Sequence, residues 1–250
     1  PPGELFDVFG AGTVGRVVQC NHPRSDSFSY FKAIDLRVGK TPAKLLRCDA
    51  VEVINGFEPE KTAEVLADWL ELLSSGVVWT ATGASDCHKT SDFPGSPRTL
   101  VYVGPGSAND PCVATPQAID AALLAGRAIA TAGPVLDVTA SAGTMTASIG
   151  QTLAAKGATV QVSAKLRMAD WIPAGTLRVY VNGVSAASVK VGETPAKDGA
   201  WSAAIQLPLP ATPADQYVVA VHEPAPGGSS GMGVRVPAWA VTNPVWISRH

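Results

Sequence analysis

The sequence predicts an α/β segment followed by an all-β domain, and two observations divide the 250 residues in this way. Up to about residue 135, strand-like runs alternate with helix-like ones, the order of a mostly parallel sheet or barrel. Beyond Gly133-Pro134 the apolar period shortens to two. Five or more short strands with turn signals follow there, the pattern of a small antiparallel sandwich.

Gly3 to Phe9 reads as a short helix, and Gly15 to Cys20 as a strand that runs into Asn21-His22-Pro23-Arg24. Asp49 to Ile54 reads as a second strand, ending at Asn55-Gly56. Pro59 to Leu73 is an amphipathic helix, with Ala63, Leu66, Leu70 and Leu73 on one stripe and Ser74-Ser75-Gly76 as its stop. Val77-Val78-Trp79 lead a third strand to Gly83, and Thr99 to Val103 is a fourth. Thr115-Pro116 is an N-cap and first-turn pair for a helix that runs to about Gly126.

In the second part, Val160, Val162, Ala164 and Leu166 alternate with polar residues, as in a half-buried strand. Leu177, Val179 and Val181 repeat that pattern, and Asn182-Gly183 signals a hairpin. Further strands are expected at Trp201–Leu207, Gln216–Val221 and Val241–Ile247.

The candidate chemistry sits where strands meet loops. Gly83-Ala84-Ser85-Asp86-Cys87-His88 places a carboxylate and an imidazole two residues apart, so both can aim at one point. That donor pair suits zinc, manganese or iron. The alternative is an Asp capping a turn beside an incidental His. His22 stands at another strand end, and two of the chain's four His therefore occupy such positions. In a parallel barrel, functional residues gather at the C-terminal strand ends, so His22, Asp86 and His88 are expected to converge.

Arg24 and Arg98 follow the ligand segments and suit an anionic substrate group, or else structural ion pairs. Glu52 either points inward to orient a metal-bound His or bridges to the helix layer. Asn55 serves a turn or the site, whereas Asp26 and Asp92 read as turn formers. No G-x-S-x-G supports a serine hydrolase.

Composition narrows the partners. The chain is 46% apolar and 16% charged with a net charge of −2, which gives no electrostatic case for nucleic acid or an anionic membrane. No apolar run reaches the roughly 18 residues of a membrane span. Cys20, Cys48, Cys87 and Cys112 form no C-x-x-C and are widely spaced, against a zinc finger or a disulfide framework. Cys20 and Cys87 flank the candidate ligands, as soft ligands or as buried packing thiols. The opening Pro1-Pro2-Gly3-Glu4 carries no targeting signal, so the compartment stays open.

Several of these motifs, in this order, resemble the PHP-type metallohydrolases (polymerase and histidinol phosphatase superfamily). The closest subset has a trailing β-domain and includes carbaryl-hydrolase-like proteins. The matching residues are Asn21-His22-Pro23-Arg24, Asp49 to Asn55, Ser85-Asp86-Cys87-His88 and Gly95-Ser96-Pro97-Arg98-Thr99. Gly126-Arg127, Thr131 to Pro134, Trp171-Ile172-Pro173 and Tyr180 to Gly183 complete the set, which spans nearly the whole chain.

The resemblance implies that residues 1–135 are the C-terminal part of a distorted (β/α)7 barrel that holds two or three divalent metals. Residues 136–250 would be an immunoglobulin-like β-sandwich. His22 would match a late histidine ligand, and Asp86 with His88 the final D-x-H pair. Metal-bound hydroxide would then attack a small-molecule phosphoester, ester or carbamate.

The family also opens with an H-x-H pair, and this chain has none. It is therefore expected to be the C-terminal portion of a longer protein. On its own it would hold metal weakly or not at all and be weak or inactive, and it would pair with the missing half or with itself. The competing reading is a non-catalytic binding or scaffold protein that uses its β-sandwich.

Overall fold

Three parallel strands lie at the base of the candidate site: β1 (Gln19–Cys20), β2 (Ala50–Asn55) and β3 (Thr80–Ala84), in the order β1-β2-β3. The computed structural model describes residues 4, 8, 16–27, 29–34, 45–104, 114–155, 159–191, 199–208, 215–226 and 236–248. Apart from Glu4 and Val8, the helix expected at residues 3–9 lies outside them. The connection from β1 to β2 carries the short helix α1 (Tyr30–Ile34). From β2 the chain passes through a 3₁₀ turn (Pro59–Lys61) into α2 (Thr62–Ser74). β2 is buried along its whole length, as expected of a parallel strand covered on both faces.

α2 buries a wider face than the predicted stripe. Val65, Trp69 and Leu72 join Leu66, Leu70 and Leu73 inside, while Ala63 is exposed. Trp69 explains the rotation. Its indole is fully buried, and its Nε1–H donates to the Trp79 carbonyl at 2.8 Å, a partner that a buried indole requires.

The barrel expected of residues 1–135 is not shown by the described residues. Strand accounts for 44% of the structure and helix for 17%, with three helices among the described residues. The parallel order stops after β3. The next elements are β4 (Arg98–Val101), α3 (Pro116–Leu124) and β5 (Ala128–Thr131), and β5 runs antiparallel to β4. The expected strand and helix are therefore present, but the strand that follows them, which the sequence did not single out, runs antiparallel to β4 and closes no β-α-β unit. The Thr115 cap of α3 is as predicted, its side chain accepting from the Ala118 N–H at 3.2 Å.

β5 pairs instead with β14 (Ala240–Thr242), so one sheet runs across residue 135. The other strands are β6 (Val135–Ala142), β7 (Met145–Ser148), β8 (Thr152–Ala154), β9 (Thr159–Arg167), β10 (Gly175–Val181) and β11 (Val184–Val191). β12 (Trp201–Pro208), β13 (Gln216–Pro224) and β15 (Val245–Ser248) complete the set. An eight-stranded sheet has the order β11-β10-β13-β14-β5-β4, with β15 pairing both β13 and β8. A four-stranded sheet has the order β12-β9-β6-β7. The β10–β11 hairpin turns on Asn182 and Gly183, both at positive φ (48° and 78°), as its sequence predicts.

β13 explains how two cores share one sheet. Its Tyr217, Val219 and Val221 face the core that holds Trp69, Trp79 and β2. Val218 and Ala220 alternate with them and face the core against β6, β9 and β12. Where β3 abuts this sheet, side chains replace a backbone ladder. The fully buried Asn243 accepts from the Ala81 N–H at 2.7 Å and donates to the Ala81 and Ala128 carbonyls at 3.0 and 2.8 Å. Thr99 Oγ1 bridges the Gly83 N–H and carbonyl in the same way.

Candidate functional site

Because β1, β2 and β3 run parallel, their C-terminal ends open on one side of the sheet. His22 follows β1, Asn55 ends β2, and Asp86 follows β3. His22 and Asp86 each adopt a positive φ (32° and 48°), which non-glycine residues rarely do and which turns the chain sharply at the strand mouth.

One carboxamide ties the strand ends together. Asn55 Nδ2 donates to Glu52 Oε2 and to Asp86 Oδ2, each at 3.1 Å. Asn55 Oδ1 accepts from the backbone N–H groups of Phe57 and Glu58 at 2.7 and 2.8 Å, which fixes the orientation of the amide. Asn55 thus makes the turn after β2 and also bridges two carboxylates. Glu52 Oε2 accepts in addition from the His22 N–H at 2.5 Å. Asp86 Oδ1 lies 3.0 Å from His88 Nε2. The result is a continuous chain from His22 through Glu52, Asn55 and Asp86 to His88.

Glu52 is the electrostatically costly member, at 2% exposure. Burial raises its carboxyl above the usual carboxylate range, and the Asp86 carboxylate adds to that rise; the His22 and Asn55 donors oppose it. Two carboxylates sharing one amide donor favour a compensating positive charge nearby.

The exposed His88 ring meets the edge of Phe57 at a centroid distance of 5.9 Å. Asp92, read as a turn former, accepts from the N–H groups of His88 and Lys89 at 2.8 and 2.9 Å, and these bonds lower its pKa. The exposed Asp26 pairs with Lys61 at 2.9 Å.

Neither arginine reaches the carboxylates. Arg24 forms a buried two-pronged pair with Asp68 of α2, at 2.5 and 2.7 Å, and lines a small cavity with His22, Glu52 and Asn55. Arg98 is exposed and donates to the Gly95 carbonyl at 3.0 Å. The sequence did not single out Asp68. A lone acid among the buried residues of α2 was the available signal, because a carboxylate there requires a cationic partner.

Beside Asp86 opens a cavity of about 590 Å³, lined by Phe57, Glu60, Lys89, Asp92 and Phe93 among others. Phe57 and Phe93 are half-exposed (58% and 50%), which makes them apolar walls that the sequence reading missed. A second, tight cavity of about 10 Å³ is lined by His22, Arg24, Glu52 and Asn55 among others. His22 Nδ1 is buried and has no hydrogen-bond partner among the described residues.

These features bear on whether the residues suit a divalent cation. A buried imidazole nitrogen without a partner, and carboxylates crowded on one amide, are the right donor chemistry. Among the described residues, however, no three His, Cys, Asp or Glu side chains converge closely enough to hold a metal. His22 lines the smaller cavity and Asp86 the larger, and among the described residues they form no complete metal site. No family model matches the chain, and no curated protein matches it.

Proposed function

We propose that the strand-end cluster is part of a divalent-metal-dependent hydrolytic site that acts on a small-molecule phosphoester or a related ester or carbamate. The observation that carries this reading is the bridge from Glu52 through Asn55 to Asp86, which links the ends of two parallel strands and, through Glu52, a third. In this reading His22 and Asp86 hold the cation, with His88 beside Asp86. A bound divalent cation supplies a Lewis acid and lowers the pKa of a water that it coordinates. Asn55 keeps Asp86 oriented, and Glu52 fixes the His22 backbone. The substrate enters the cavity walled by Phe57 and Phe93.

The lack of three converging ligands among the described residues favours a second reading, in which the cavity binds a ligand without chemistry. Elemental analysis of the purified protein separates the two. Near-stoichiometric zinc, manganese or iron that falls in both His22→Ala and Asp86→Ala supports the hydrolytic reading. Metal content no higher in the wild type than in the variants refutes it.

A further inference from the structure

A third cavity, of about 450 Å³, lies where α2 meets the large sheet, and none of its lining residues belongs to the strand-end cluster. On α2, the exposed Ala63 and Ala67 stand one turn apart on its wall, with Leu66, Leu70 and Glu71 beside them. The hairpin and sheet contribute Tyr180, Val184 and Glu223, and Trp239 lies just before β14. The frame is fixed on both sides. The Tyr217 hydroxyl donates to the Leu70 carbonyl at 2.9 Å and lies 2.8 Å from Ser74 Oγ, which ties β13 to α2. A Cβ at Gly183 would meet Ser74 Oγ at 3.1 Å, so the glycine lets the hairpin tip seat on the helix. On the sheet, Glu223 Oε2 accepts from Arg178 Nε at 2.5 Å and Oε1 from the Tyr180 hydroxyl at 2.8 Å. Burial and the Glu223 carboxylate push the Tyr180 phenol up to about 12, so it stays neutral and keeps donating.

The charge on this lining has one sign. Its acids are Glu71 and Glu223, and no Lys, Arg or His is among the described residues that line it. Arg178 neutralises Glu223 from behind, whereas Glu71 makes no ion pair among the described residues. Tyr180 and Trp239 add two half-buried aromatic rings, and the face of such a ring attracts a cation. The volume falls within the roughly 300–1,000 Å³ of small-molecule sites, whose walls are mostly apolar with a few fixed polar groups.

We propose that this cavity binds an organic cation, an amine or ammonium group carried on an apolar body about the size of one aromatic ring. The apolar body lies along Leu66, Ala67 and Leu70, and the charged group meets Glu71 and the aromatic rings. An anion finds no basic partner there. The site needs no metal, so it stands or falls apart from the hydrolytic reading.

The test titrates phenethylammonium into the full chain, followed by NMR, with 2-phenylethanol as the neutral probe of the same shape. The amide signals of Gly183 and Val184 and the Trp239 indole signal, assigned with Trp239→Phe, should shift saturably with the ammonium. The alcohol should bind about tenfold more weakly. Ala67→Phe fills the cavity from an exposed helix position and should abolish both responses. Glu71→Gln should weaken the ammonium by about twofold to fivefold and leave the alcohol unchanged. No saturable shift at millimolar probe, or the same shifts in Ala67→Phe, removes the cavity as a site. Equal affinities for the two probes, or an ammonium affinity indifferent to Glu71→Gln, overturn the assignment of a cation. Should Ala67→Phe fail to fold, the wild-type comparison of the two probes still decides.

Discussion

Arg24→Met tests the buried ion pair between Arg24 and Asp68. In the wild type, Arg24 is 7% exposed and Asp68 is 2% exposed, and two short bonds join guanidinium to carboxylate. Removing the guanidinium leaves a carboxylate inside the layer between α2 and the β1–β2 connection. Breaking one partner of a buried pair costs about 3–5 kcal/mol, because the remaining charge keeps its desolvation penalty. A chain of this size shifts its midpoint by roughly 2–4 °C per kcal/mol, so the expected fall is about 6–20 °C. Urea denaturation and thermal melts measure it. The double variant Arg24→Met/Asp68→Leu removes both charges, and most of the lost stability returns. A single-variant cost below about 1 kcal/mol refutes the reasoning, since the pair would then be solvated. A double variant as unstable as the single one also refutes it, since packing rather than charge would then be the cause.

Two further substitutions probe the frame of the site. Asn243→Leu strands the Ala81 N–H and the Ala81 and Ala128 carbonyls where β3 meets the large sheet, and is expected to cost at least about 3 kcal/mol by urea denaturation. A cost under about 1 kcal/mol would mean that this seam is held by apolar packing alone. His222 is fully buried; its Nδ1–H donates to the Ala238 carbonyl at 2.7 Å, and burial lowers its pKa below the usual 6.5. The folded state therefore binds this proton less readily than the unfolded state. The stability that His222 contributes is full above about pH 6.5 and is lost as the pH falls through the lower folded value, by up to about 1.4 kcal/mol per pH unit. Denaturation series at pH 7.5 and below show that slope in the wild type and a shallower one in His222→Gln. Equal slopes would remove His222 as its source.

The fold was legible where local pattern decides it. Alternation found β9 and β10, the Asn182-Gly183 pair found their neighbouring turn, and Thr115-Pro116 marked the start of α3. Strand direction was not legible: β4, expected to belong to a mostly parallel sheet, pairs antiparallel with β5, a strand the sequence did not single out, and β5 pairs antiparallel with β14. That one reversal replaces the expected barrel with shared sheets. In the site, the spacing of Asp86 and His88 suggested that both aim at one point, and in the structure they contact each other at 3.0 Å; Asn55, read as serving a turn or the site, makes the turn after β2 and bridges two carboxylates. The left-handed backbones of His22 and Asp86 leave no mark in composition, since neither is a glycine. The pairing of Arg24 with Asp68 spans 44 residues and required the packing of α2.

A zinc titration followed on the imidazole NMR signals tests the shared strand-end site most directly. The chain has four His, so His22→Ala and His88→Ala suffice to assign the signals that matter. The His22 ring signals should shift at stoichiometric zinc in the wild type and stay in place in Asp86→Asn. His22 signals that ignore zinc, or that respond equally in Asp86→Asn, would contradict a cation held between the ends of β1 and β3.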